Sequence, residues 1–197
     1  MSRICVVTSL ILGFIGVTAT NSYALDGKRK GFIIGAGAGA GLTSFKEKIS
    51  FFESDRESKM ALMTDFKLGY APSNQFAIFW TSKVSWLRLK TEGNTFAPSN
   101  SFTIVNGMGG LGLAYYFQPE GPSPYLTGGF GFSSWGTPFE EGTDTLYGSG
   151  FALGAGYEFS RHWSIEGGFV LGSPKDSDFD YSIDTMALRL TINVLGY

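Results

Sequence analysis

Between Tyr147 and Leu171 the chain reads YGSGFALGAGYEFSRHWSIEGGFVL. One alternate set is Tyr147, Phe151, Leu153, Tyr157 and Phe159, which resumes as Trp163, Ile165, Phe169 and Leu171 after Ser160-Arg161-His162. The other set is small or charged: Gly148, Gly150, Ala152, Gly154, Gly156, Glu158, Ser164, Glu166 and Gly168. Strict period-two alternation across a short polar turn is the pattern of a β-hairpin. Aromatics at the ends of the apolar face also suit two barrel strands facing lipid, with Tyr157, Phe159 and Trp163 at an interface.

The rest of the chain repeats this unit. Phe32–Thr43 sets Phe32, Ile34, Ala36, Ala38, Ala40 and Leu42 against Ile33 and alternate glycines. Its GAGAGAG run brushes against a nucleotide-binding glycine fingerprint, but it opens no helix, so that motif is rejected. Met60–Tyr70, Gln75–Leu87, Ile104–Phe117, Tyr125–Ser134 and Thr185–Tyr197 complete a count of eight strands. Tyr125–Ser134 alternates least regularly, and a bulge is expected there. Polar stretches at 46–59, 88–101, 135–146 and 173–182 read as long loops, alternating with short turns. That arrangement predicts an all-β, eight-stranded antiparallel up-and-down barrel with short periplasmic turns and longer loops on the outer rim.

Alternation alone does not say which face looks outward, because a secreted ligand carrier also alternates, with its apolar face inside. Charge placement separates the two. The non-apolar face carries Asp65, Lys67, Lys83, Glu158, Glu166 and Arg189 among many glycines, far fewer charges than a soluble surface holds. Enclosed in a narrow lumen, small residues leave room for these few long side chains, and the apolar face looks into lipid. Three cations against three anions reads as a balanced set of buried pairs plugging the interior, in preference to a gated ion path.

Composition narrows the remaining classes. Arg3, the apolar run Ile4–Val17 and Ser22-Tyr23-Ala24 read as a signal peptide over residues 1–24, leaving the barrel domain at 25–197. The only cysteine, Cys5, lies in that leader, so no disulfide or thiol chemistry is expected. A formal net charge of −2 offers no basic footprint for nucleic acid.

The glycine-aromatic strands, Gly154–Phe169 (GAGYEFSRHWSIEGGF) and the aromatic terminus Tyr197 resemble the small outer-membrane barrels of the OmpA/OmpX and opacity-porin type. That resemblance implies residence in the outer membrane, contact with its lipid and lipopolysaccharide, insertion through the barrel-assembly machinery, and extracellular loops that meet whatever ligand the protein has. It implies no enzyme activity and no cofactor. An aromatic girdle is expected from Tyr70, Phe76, Trp86, Tyr115, Trp135, Tyr157, Trp163 and Tyr197. Tyr197 faces lipid only if the register shifts by one residue near Gly196, because Thr191 and Asn193 share its parity.

Two constellations are weighed and set aside. His162, Ser164 and Glu166 suggest a hydrolase of the lipid A-modifying kind, but His162 lies in a periplasmic turn while Ser164 and Glu166 point into the lumen. Asp176, Asp178 and Asp180 copy the opening of a calcium loop, yet Tyr181 and Ala187 replace its glycine and glutamate. With Glu140, Glu141 and Asp144 they read as a solvated acidic rim and only weakly as a metal site.

Overall fold

The computed structural model describes residues 28–49, 52–90, 101–140, 144–176 and 181–197; the signal peptide expected over residues 1–24 lies outside them. Within these residues the strands are β1 (Gly31–Ile49), β2 (Phe52–Glu53), β3 (Glu57–Ala71), β4 (Phe76–Lys90), β5 (Ser101–Tyr116), β6 (Ser123–Gly136), β7 (Leu146–Ser160), β8 (Trp163–Lys175) and β9 (Tyr181–Gly196). Each pairs antiparallel with its neighbour, β2 being a two-residue rider on the end of β1. Pairing of β1 with β9, from Ile34↔Gly196 to Ile49↔Tyr181, closes the other eight strands into a barrel. Among the described residues, closure leaves none of these eight strands at a free sheet edge, as a sheet needs in order to cross hydrocarbon.

The ladder fixes the barrel's dimensions. Following paired residues from Gly35 through Lys67, Thr81, Gly110, Gly131, Gly150, Gly172 and Thr185 returns to β1 at Phe45, ten residues beyond the start. With strands about 4.8 Å apart and a rise of about 3.3 Å per residue, this stagger tilts them about 41° and sets a backbone radius of about 8 Å. So narrow a tube holds side chains and little else.

The alternate faces separate cleanly. Outward positions include Ile34, Leu62, Leu68, Trp80, Leu113, Phe130, Leu153, Leu190 and Ile192, all exposed. From Met60 to Tyr70 the outward face of β3 covers about 25 Å along the barrel axis at that tilt, the height of a bilayer's apolar band. On the outward face charge begins only past this belt, at Lys46, Arg88, Lys175 and Asp184. An exposed apolar belt of membrane height around a closed ladder makes this a transmembrane barrel.

Three details depart from the sequence reading. The stretch 46–59 is not simply a loop: β1 runs to Ile49, β3 starts at Glu57, and Lys48 pairs with Glu53 through β2. Its charges mark where the strands leave the membrane, because Lys46 bonds Glu53 and Lys48 lies 2.7 Å from Asp184 beyond the belt. The hydrogen bond and charge of Lys48 hold the Asp184 carboxyl below its usual range.

The second departure is β6, which is regular, with Tyr125, Thr127, Ser133 and Trp135 buried and Leu126, Phe130 and Phe132 exposed. The register shift lies instead in β7, between Glu158 and Ser160, before a turn in which His162 adopts φ 71°. Third, two girdle positions turn inward. Trp135 continues the inward parity of β6 and packs on Phe45, with ring centres 5.1 Å apart. Tyr197 keeps the inward parity of Arg189, Thr191 and Asn193 with no offset at Gly196, and is 3% exposed.

Leu190→Arg, midway along the belt on β9, is expected to cost about 2–4 kcal/mol in urea titrations of the barrel in lipid vesicles. A cost near zero would show that this face does not meet hydrocarbon.

Candidate functional site: the barrel interior and its short-turn mouth

The interior is layered. Toward the long-loop rim lies an apolar plug that includes Phe45, Met63, Leu87, Met108, Trp135 and Ile183. Toward the short turns lies a second, built of Ile33, Phe79, Tyr116, Tyr125 and Tyr197 with several alanines. Glycines paired with the rings on the adjacent strands make room for them: a Cβ on Gly112 would sit 2.4 Å from Phe79, and one on Gly156 only 2.3 Å from Tyr125. Between the two plugs sits the charged layer.

Five of the six lumen charges meet in that layer. Lys67 Nζ donates to Glu166 Oε2 at 2.6 Å, and Lys83 Nζ to Glu166 Oε1 at 2.7 Å. Lys83 Nζ also lies 3.6 Å from Asp65 Oδ2. Arg189 Nη2 donates to Asp65 Oδ1 at 2.5 Å and to the Thr64 carbonyl, and the Thr191 hydroxyl donates to Asp65 Oδ2. All five side chains are buried, and burial without partners would cost several kcal/mol per ion. Parity turns these side chains inward, and β8, β9, β3 and β4 lie with β1 on one contiguous arc of the wall.

The sixth charge, Glu158, lies elsewhere. At the short-turn mouth it faces Arg29, whose Nε and Nη2 donate to its two carboxylate oxygens at 2.8 and 3.1 Å. The remaining nitrogen, Nη1, donates to the carbonyls of Asn74 and Gln118 in two different turns. The guanidinium also lies 4.2 Å from the centre of the Tyr116 ring. A planar fork satisfies a carboxylate, two carbonyls and an aromatic face at once, which an ammonium could not. Arg29 therefore ties the segment entering β1 to three other parts of the same rim. Sequence reading assigned it no role because it precedes the first strand and its partner lies 129 residues away.

The Tyr197 hydroxyl joins this mouth, donating to Glu158 Oε1 at 3.2 Å and accepting from the His162 amide at 3.3 Å. His162 Nδ1 lies 2.8 Å from the Leu195 carbonyl. Ser164 and Glu166 meet a different partner, Tyr125, whose hydroxyl lies 3.2 Å from Ser164 Oγ and 3.0 Å from Glu166 Oε2. His162 is thus held by Tyr197 and Leu195, apart from Ser164 and Glu166, which share the Tyr125 hydroxyl.

Of the other girdle positions, Tyr70, Tyr115, Tyr157 and Trp163 face outward and are exposed, and Phe76 is partly exposed. Trp86 also faces outward, donates to Thr64 Oγ1 at 2.9 Å and stacks on Phe139. Asp178, Asp180 and Glu141 lie outside the described residues. Among those described, no cluster of three His, Cys, Asp or Glu has the spacing to hold a metal ion.

No family model matches the chain, and no curated protein matches it in sequence. Among solved structures it is similar to Ail, the attachment invasion locus protein of Yersinia pestis, at 11% identity and TM-score 0.47, covering 83% of this chain and 99% of Ail. Neisserial surface protein A is 18% identical with TM-score 0.49, covering 84% and 97% of the two chains. OprG of Pseudomonas aeruginosa is 13% identical with TM-score 0.48, covering 86% and 98%. The molecule's own ladder and belt make it an eight-stranded barrel of the outer-membrane kind.

Arg29→Met strands Glu158 as a buried, unpaired carboxylate, and a loss of about 3–5 kcal/mol is expected in denaturant unfolding. The double variant Arg29→Met/Glu158→Met should recover most of it. Equal losses in the single and double variants would show that the two charges are not coupled.

Proposed function

We propose that the protein is a sealed, non-enzymatic outer-membrane barrel whose role is structural or carried by what its long-loop rim presents to the exterior. The observation that supports this reading most is the filled interior. Two apolar plugs enclose five mutually bonded charges, and Arg29 spans the short-turn mouth. A tube of about 8 Å backbone radius packed this way leaves little room for a water path.

The groups that catalysis would need are held in structural bonds: Glu166 by two lysines, and His162 beside the Leu195 carbonyl. On the long-loop side β1, β3 and β9 continue past the belt as a ladder carrying Lys46, Lys48, Glu53 and Asp184. This raised rim would stand at the lipopolysaccharide headgroups and carry the loops that meet an extracellular ligand. Insertion by the barrel-assembly machinery accords with the closed antiparallel ladder.

Planar-bilayer recording of the purified barrel is expected to show no steady openings. Openings of reproducible conductance that disappear in Glu166→Ala would favour a narrow channel and refute the sealed reading.

A further inference from the structure

With Glu158 taken by Arg29, the central layer is not balanced. Lys67, Lys83 and Arg189 face only Asp65 and Glu166, an excess of one positive charge among the described interior residues. An uncompensated ion in so narrow and dry a space is costly, and the cost falls if a counter-charge lies beside it. Arg189 supplies the position. Its side chain is 3% exposed, and while Nη2 is bonded, Nε and Nη1 find no acceptor among the described residues. Thr81 Oγ1, also buried, likewise finds no partner.

Arg189 and Thr81 line the same cavity, together with Lys83, Glu166 and the backbone of Gly129 and Gly154 on the facing wall. The cavity has a free volume of about 10 Å³, the size that admits one water, so a slightly larger monovalent anion seats there with a small shift of the flexible side chains around it. A cation is excluded by the two unpaired guanidinium N–H groups and the Lys83 ammonium. The one anionic group on the wall, Glu166, is bonded to both lysines and so repels an incoming anion only weakly.

We propose that this cavity is a site for a single small monovalent anion, chloride being the probe of choice, held by Arg189 Nε and Nη1 and the Thr81 hydroxyl and taken up as the barrel closes. Water would satisfy the same donors but would leave the excess charge standing. The site makes the barrel's stability depend on the anion present during folding, since a ligand bound only by the folded state stabilises it by mass action.

The test is to refold the barrel in detergent at constant ionic strength while replacing gluconate by chloride. The thermal midpoint is expected to rise by several degrees with chloride and then saturate. Crystals grown in bromide should give an anomalous peak within hydrogen-bond reach of Arg189 and Thr81. Arg189→Met should abolish both effects. Should that variant not fold, Thr81→Val keeps every ion pair and is expected to need about tenfold more chloride for half the shift, because it removes one hydrogen bond to a charged group. Equal midpoints in chloride and gluconate, no bromide peak, or a chloride response unchanged in Thr81→Val would overturn the proposal.

Discussion

Pairing of β1 with β9 is the constraint on which the molecule depends. In hydrocarbon no water relieves an unpaired amide or carbonyl, so the ladder closes completely or the chain does not cross. Closure with eight strands and a stagger of ten residues then dictates a tube that its own side chains can fill and that is too wide to be left unfilled. Everything inside answers that requirement: rings over glycines at the short-turn end, aliphatic and aromatic plugs at both ends, and ionic groups only where each meets a partner.

The same constraint separates two roles for charge that resemble each other in sequence. Lys67, Lys83 and Arg189 are interior counter-ions, geometrically fixed and shielded from solvent. Lys46 and Lys48 alternate just as regularly, yet they stand on the outer face above the belt, where their ion pairs with Glu53 and Asp184 contribute little to stability. Position relative to the membrane, and not residue type, decides which lysine matters to the fold.

Much of this was legible in the chain, for a physical reason. Lipid tolerates no outward charge, so β1, β4, β7 and β9 carry an alternation strict enough to assign Leu153 outward and Arg189 inward by counting. Legibility fails at the rims, where both faces accept aromatics. Trp135 was misplaced because β6 continues two residues past Ser134, and Tyr197 because a terminal aromatic suggests a lipid contact where the parity of Asn193 demands an inward one. The Arg29–Glu158 pair was not recoverable by counting, since it joins the segment before β1 to the end of β7. Its one trace is that Glu158 lies at the mouth end of its strand, away from the cations of Lys67, Lys83 and Arg189 that were expected to balance it.

The most direct test of the account is a nitroxide accessibility scan along β9, one cysteine at a time from Met186 to Val194 in a Cys5→Ser background, with the barrel in lipid. Collision with oxygen should alternate with a period of two, high at 186, 188, 190, 192 and 194 and near zero at 187, 189, 191 and 193, with negligible access for a water-soluble quencher throughout. Oxygen access at the odd positions, or free access of the water-soluble quencher to either set, would contradict it.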